Sequence, residues 1–260
     1  IQDVQKEAPS AESYKVECLE LAAKAEKLAT LLRQVARLDN TVAAPLYMRP
    51  LSRMLQELKK SVQKAIDLIH KCNRKGMIRR VITITSVHDF KRVSTLLDSS
   101  MGDLTWFIAI SRNEGEGGGM PPIASSEPLL GYCWNQIMLL YRGNEDDQEE
   151  AVTSLNGYAK NNERFMNIMM EEEAVQPLLK VLQEGNPNAR EIAARTLGYI
   201  ARDETTVKQM VSYGLAPVFV KVLSNAPMKV QVAVAWAMAQ VLDVDSEQQG
   251  LFLEHLVVRP

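Results

Sequence analysis

The chain has 260 residues, of which 46% are hydrophobic but only 6% are aromatic. This length is enough for one large domain or two ordinary ones, each with its own core. With so few aromatic residues, the core volume must come from Leu, Val, Ala, Met and Ile, which favours helices packed on helices. Apolar β-branched residues rarely alternate with polar ones, so the sequence predicts no β-sheet. We therefore expect an all-α protein.

The net charge of −2 conceals two halves of opposite sign. Residues 1–112 contain 19 Lys and Arg against 12 Asp and Glu, whereas residues 113–260 contain 11 against 20. This asymmetry favours two domains, which either have different surface partners or attract each other. Because the second half is acidic, we expect no binding of nucleic acid.

The cysteines and histidines are scattered along the chain. Cys18, Cys72 and Cys133 form no CxxC motif, so we expect buried thiols in a reducing compartment. The three histidines have no Cys or acidic residue at ligand spacing, so we expect neither a metal nor a cofactor. No apolar run approaches the roughly 20 residues of a membrane span, and we expect a cytoplasmic protein.

The first half has the pattern of a helical bundle. Residues 1–10 are polar and are predicted to fray. Apolar residues recur at helical spacing over about 11–38 and 45–72, and again from near Ser86. Ser86 and Asp89 have the spacing of a capping box at the start of this third helix. Since three amphipathic helices cannot bury their apolar stripes alone, we expect them to pack together.

A Gly-, Pro- and Ser-rich segment, residues 112–126, divides the predicted bundle (1–111) from a second domain (127–260). A glycine-rich run can indicate a phosphate-binding loop. Here no G-x-G-x-x-G or GK[ST] motif is present and no strand precedes the run, so we interpret it as a flexible linker.

The second half contains an internal repeat. Residues 175–201 align with 215–242, and residues 151–159 form a partial copy that lies 42 positions before 193–201. The aligned pairs at a spacing of 41 residues are Lys180 and Lys221, Leu182 and Leu223, and Leu197 and Met238. A period of about 40 residues with two or three helices per unit is typical of armadillo and HEAT solenoids. Residues 246–260 resemble the opening of a further repeat, so we expect the array to continue.

The pattern over residues 127–260 resembles the armadillo repeat. The stretches 121–124, 134–137 and 227–237 resemble the plant armadillo repeat only family, whose N-terminal domain is also similar to the predicted bundle. The resemblance implies a non-catalytic scaffold for Rho-type small GTPases and their regulators. It also implies action in polarised plant cell growth, peripheral at the plasma membrane.

Two other functions fit parts of the pattern less well. A plant ubiquitin ligase with armadillo repeats would need a U-box between the halves, and residues 109–128 are too few for one, so this alternative is a relative of those ligases without the U-box. An import-type peptide adaptor would need a repeated Trp and Asn one turn apart on the third helices. The corresponding pairs are Thr153 and Gly157, Arg195 and Tyr199, and Trp236 and Gln240, of which only Trp236 fits. No nucleophile with a neighbouring base is evident, so we expect no enzyme.

The concave face of the repeats is the first candidate site. We expect Arg195, Tyr199, Trp236 and Gln240 to contact a protein partner, because aromatic residues and Arg dominate binding hot spots. The alternative for Trp236 is a structural one, in which its ring packs between repeats.

A cluster of basic residues on and after the second helix is the other candidate. Its charges could bind anionic lipid head groups, or they could belong to a solvated helix end whose cations complement the helix dipole. Glu57 and Asp67 interrupt the cluster and favour the second interpretation. The cluster comprises Lys60, Lys64, Lys71, Arg74, Lys75, Arg79 and Arg80.

Two acidic runs, residues 145–150 and 171–173, raise the alternative of metal ligands or an acid–base pair. Acidic residues are favoured at helix starts, where the dipole is positive. We therefore predict solvated helix caps in both runs.

Overall fold

The structure is a computed structural model that describes residues 1–38, 45–73, 86–111 and 120–257. All regular structure in these ranges is helical, which confirms the expected all-α class. None of the described helices combines the length and the low charge that crossing a bilayer requires. The chain divides into two compact units, Ile1–Glu127 and Pro128–Pro260.

The first unit is built on three long helices. The helices are α1 (Gln2–Glu7), α2 (Lys15–Val35), α3 (Pro45–Cys72), α4 (Val87–Ser111) and α5 (Pro122–Ser126), with a 3₁₀ turn at Ala8–Ser10. Helices α2 and α3 both pack along α4 and bury apolar stripes such as Leu28, Leu58 and Leu97. The predicted second and third helices are confirmed, with the second matching α3 in full.

The capping box at the start of α4 is confirmed. The backbone N–H of Ser86 donates to Oδ2 of Asp89 at 2.9 Å, and the N–H of Asp89 donates back to Oγ of Ser86 at 3.3 Å. The pKa of Asp89 is lowered, chiefly because these hydrogen bonds from Ser86 stabilise its charged form.

The prediction that residues 1–10 fray is wrong. Val4 and Ala8 are buried, and α1 packs against both α2 and α3. The side chain of Asn73 also donates to the carbonyl oxygen of Glu7 at 3.0 Å. Val4 and Ala8 are four residues apart and so share one helix face, which is enough to anchor a segment whose other residues are polar.

The predicted flexible linker is only partly described, since residues 112–119 lie outside the described ranges. Its C-terminal end forms α5, whose Ile123 N–H donates to Oδ1 of Asp103 at 2.8 Å. Gly102 leaves room for Pro122, because a Cβ on that glycine would lie 2.7 Å from the proline Cγ. This end of the segment is therefore held against α4.

The second unit contains nine described helices. They are α6 (Pro128–Arg142), α7 (Glu145–Ala159), α8 (Glu163–Glu171), α9 (Val175–Glu184), α10 (Pro187–Ile200), α11 (Glu204–Ser212), α12 (Leu215–Asn225), α13 (Met228–Val244) and α14 (Gln249–Val257). A 3₁₀ turn at Ser246–Gln248 precedes α14.

These helices stack in layers along two rows. Helices α6, α9 and α12 pack successively in one row, and α7, α10 and α13 pack successively in the other. The short helices α8 and α11 lead into the second and third layers, and Asn162 and Asp203 cap their N-termini. The turn from α11 to α12 passes through Gly214 at φ 90°, a conformation that only glycine adopts readily.

Candidate protein-binding face

The row formed by α7, α10 and α13 is lined by small residues where its helices meet. Ala194 and Gly198 of α10 are buried, as are Ala233 and Ala237 of α13. A Cβ on Gly198 would lie 2.4 Å from Cζ3 of Trp236 and 3.1 Å from the Cα of Ala237. The absence of a side chain at Gly198 therefore allows the Trp236 ring to lie directly on α10.

Trp236 also contacts Tyr199, the residue after this glycine. The two ring centroids are 5.1 Å apart with the planes at 65°, an edge-to-face arrangement that suits the charge distribution of aromatic rings. Both side chains are half-buried. Trp236 therefore packs between two layers, as one interpretation of the sequence expected, while part of its surface stays open to solvent.

Arg195 lies one turn before Tyr199 on α10. Its Nε and Nη2 atoms both donate to Oε1 of Glu191 at 3.2 Å, and 42% of the arginine side chain is exposed. An exposed pair of this kind contributes little stability and can exchange for a contact with another molecule. Gln240 is half-buried one turn after Trp236 on α13. The four predicted contact residues thus come from two adjacent helices of one row.

Polar side chains join the layers at the edge of this row, and local sequence patterns did not identify them. Glu149 of α7 accepts a hydrogen bond of 2.8 Å from the side chain of Asn186, and Asn188 in turn accepts one from Lys229 of α13. Near the other end of α7, Asn156 donates to the hydroxyl of Thr196 at 3.1 Å. In the sequence, these bonds are indicated only by the separation of their polar partners, which is close to one repeat period.

The predicted basic cluster is described only in part. Lys60, Lys64 and Lys71 are exposed on α3, and Lys60 forms an ion pair of 2.6 Å with Glu57. Lys71 lies close enough to the Asp89 carboxylate to contribute to its lowered pKa, after the larger effect of Ser86. The other members, Arg74, Lys75, Arg79 and Arg80, lie outside the described residues.

The two acidic runs differ from each other. In the first, Asn144 and Asp147 form a reciprocal capping box at the start of α7, as predicted for a helix cap. In the second, Glu172 is buried and accepts a hydrogen bond of 2.9 Å from Nε1 of Trp134, so its prediction as a solvated cap is wrong. An indole N–H 38 positions earlier in the sequence compensates for part of the cost of burying this carboxylate.

A comparison with protein families matches most of the first unit. Residues 1–112 match a family model described as a domain of unknown function, DUF7792. No curated protein matches the chain.

Proposed function

We propose that the second unit is an armadillo-type solenoid and that the protein is a non-catalytic scaffold. Two successive sets of three helices, α8 to α10 and α11 to α13, support this proposal. Each set contains a short helix capped by Asn or Asp, followed by one helix from each row. The period of about 40 residues in the sequence therefore coincides with one three-helix layer, as expected of armadillo repeats.

The observation that carries the binding proposal is the half-exposed Trp236 beside Tyr199 and Arg195. A solenoid binds extended partners along the concave face that its repeated helices form. On such a face, aromatic rings and Arg supply most of the binding free energy. Trp236 is held by Gly198 and Tyr199, so little conformational entropy would be lost when a partner covers the rest of its ring.

The proposed partner is a Rho-type small GTPase together with its regulators, at the cytoplasmic side of the plasma membrane. This part of the proposal is supported by the resemblance of the sequence to the plant armadillo repeat only family. The exposed lysines of α3 add a surface that would favour anionic lipid head groups.

Affinity capture of the GTPase, loaded in turn with GTP and GDP, tests the proposal. We expect preferential capture of one nucleotide state, and loss of that capture in the double variant Trp236→Ala, Arg195→Glu. Lys180→Glu is the matched control, because it makes the same charge change at an exposed position of α9, in the other row of helices. Circular dichroism would establish that each variant keeps its helix content. Equal capture of both nucleotide states, or no capture, would refute the GTPase proposal.

A further inference from the structure

Two of the three cysteines lie together in the core of the bundle. Cys18 is near the start of α2, and Cys72 is the last residue of α3. Their thiols are within hydrogen-bonding distance of each other, and both side chains are almost completely buried. Cys133, the third cysteine, is buried in the second unit. The fold of the first unit thus brings into contact two thiols that are far apart in the sequence.

Residues 1–12 form a cover that packs on the ends of α2 and α3. Its buried apolar side chains belong to the same core as the two cysteines. The side-chain amide of Asn73 donates to the carbonyl oxygen of Glu7 at 3.0 Å and to its Oε2 at 3.2 Å. The backbone N–H of Glu12 also donates to the carbonyl oxygen of Cys72 at 3.2 Å. We therefore expect the thiols to become accessible when this cover lifts from the end of α3.

The cover continues into α2 through a strained residue. Tyr14 has φ 49° and ψ 41°, a left-handed conformation that is unfavourable for a residue with a Cβ. Its ring contacts Phe90 of α4, with the centroids 5.2 Å apart, so this side of the joint is held by the bundle. Lifting the cover relieves the strain while the three long helices stay packed. Such local opening costs less free energy than unfolding the whole unit.

We propose that Cys18 and Cys72 are a reversible redox pair, which glutathione disulfide oxidises to a disulfide when the cover lifts. One cysteine, as its thiolate, attacks a sulfur of glutathione disulfide and releases one glutathione. The other cysteine then attacks the mixed disulfide and releases the second glutathione. Two electrons and two protons thus pass from the two cysteines to one molecule of glutathione disulfide, which leaves as two molecules of glutathione. The product is a covalent link between α2 and α3.

Burial keeps the pair reduced while the cover is closed. Burial, followed in effect by the neighbouring Cys72, raises the pKa of Cys18 to about 12, so the thiolate needed for attack is scarce at neutral pH. The opening of the cover therefore sets the rate of oxidation. The new bond requires the two sulfur atoms to approach to about 2.05 Å. Helices α2 and α3 can make this adjustment because each packs mainly on α4 rather than on the other.

Peptide mapping after incubation with glutathione disulfide tests the pairing. The remaining thiols are alkylated with N-ethylmaleimide in denaturant before digestion. We expect a disulfide-linked pair of peptides that contain Cys18 and Cys72, whereas Cys133 is recovered in alkylated form. Cys133→Ser is the matched control, because the loss of a buried thiol in the second unit should leave the link unchanged. Recovery of Cys18 and Cys72 as alkylated thiols, or linked to Cys133 as often as to each other, would overturn the proposal.

Loosening the cover tests whether it controls the reaction. Asn73→Ala removes both hydrogen bonds to Glu7 and should speed formation of the disulfide roughly fivefold, since the cover then opens more often. Asn225→Ala is the matched control, because Asn225 is exposed at the end of α12 in the second unit. This control should react at the rate of the parent protein. Equal rates for Asn73→Ala and the parent would show that the cover does not limit access.

Urea unfolding measures what the link does to the bundle. The first unit of the oxidised protein should unfold at a higher urea concentration than that of the reduced protein, because the cross-link restricts the unfolded chain. A thiol reductant should reverse the shift. Cys72→Ser should unfold at the same urea concentration under both conditions, and comparing the variant with itself removes any effect of the substitution on folding. A shift on oxidation that persisted in Cys72→Ser would contradict the proposed pair.

Discussion

The bundle of the first unit and the layered stack of the second unit bury similar residue types in different ways. In the bundle, three helices of 21, 28 and 25 residues contribute buried residues to one core. In the second unit, helices of 9 to 17 residues pack on the layers before and after them. A bundle core is therefore shared by all its helices, whereas a stack consists of a series of interfaces.

This difference determines how far a local change spreads. A side chain in the bundle core contacts more than one long helix, so its loss should weaken the unit as a whole. A side chain in the stack contacts its own layer and the neighbouring ones, so its loss should be felt mainly at one interface. The stack also leaves side chains such as Trp236 half-exposed at a layer boundary, where a partner can contact them.

The largest effect is expected in the bundle, for Leu97→Ala. Leu97 is fully buried on α4 among residues of α2 and α3. Its truncation should lower the free energy of unfolding of the bundle by about 3 kcal/mol, because it removes apolar contacts and leaves a cavity. Amide hydrogen exchange should show reduced protection in α2, α3 and α4 together.

Leu55→Ala on α3 is the matched control, since 37% of Leu55 is exposed. It should cost much less and leave the exchange pattern nearly unchanged. If Leu97→Ala reduced protection in α4 alone, the bundle would not behave as one cooperative core, and the contrast with the stack would fail.

A smaller and more local effect is expected in the stack, for Gly198→Ala. The new Cβ would meet the Trp236 ring and the backbone of Ala237, so α10 and α13 must move apart. Overpacking of this kind costs about 1–3 kcal/mol, partly offset by the higher helix propensity of Ala, which is worth about 1 kcal/mol. We expect a net loss of stability confined to this interface, with greater exposure of Trp236 in fluorescence quenching.

Gly157→Ala provides the comparison at a helical glycine with open space. Nothing lies within 4 Å of a Cβ built at Gly157. This variant should therefore be stabilised by about 0.5–1 kcal/mol through helix propensity alone. If both glycine variants were stabilised, the close contact between Gly198 and Trp236 would not limit the approach of the two layers.

Local patterns in the sequence predicted the helices and several of their caps. The range Pro45–Cys72 follows from apolar spacing, and the Ser86–Asp89 cap follows from two residues three positions apart. Both depend on neighbours within a few turns of one helix. The repeat period can likewise be predicted from the sequence, because each layer repeats the same order of helices, turns and caps.

Contacts between distant segments could not be predicted in this way. Glu172 lies in an acidic run that is typical of a solvated cap, but it is buried and accepts a hydrogen bond from the distant Trp134. The role of Gly198 also cannot be predicted from its neighbours in the sequence, because it depends on the Trp236 ring that packs against this glycine. In the candidate binding face, residue types indicated which side chains to consider, but the half-exposure of Trp236 depends on how closely two layers approach.

The smallest effect expected is a dependence on pH at a helix cap of the stack. Asp203 accepts hydrogen bonds from the backbone N–H of Thr206 at 2.8 Å and from its hydroxyl at 2.9 Å. The backbone hydrogen bond is the main cause of the lowered pKa of Asp203. Its charge thus stabilises the folded state above the ordinary Asp pKa of about 3.9, and this contribution is lost as the pH falls through the lower folded pKa.

Asp203→Asn keeps a good capping group but removes the charge, so it should cost at most about 1 kcal/mol at pH 7, because solvent screens this exposed carboxylate. Urea unfolding at pH 7 and near pH 2 should show that the difference from the parent protein disappears in acid. Asp89→Asn tests the corresponding cap of the bundle, where the pKa of the aspartate is also lowered. A deficit for Asp203→Asn that persisted unchanged in acid would mean that the cap depends on the shape of the side chain rather than on its charge.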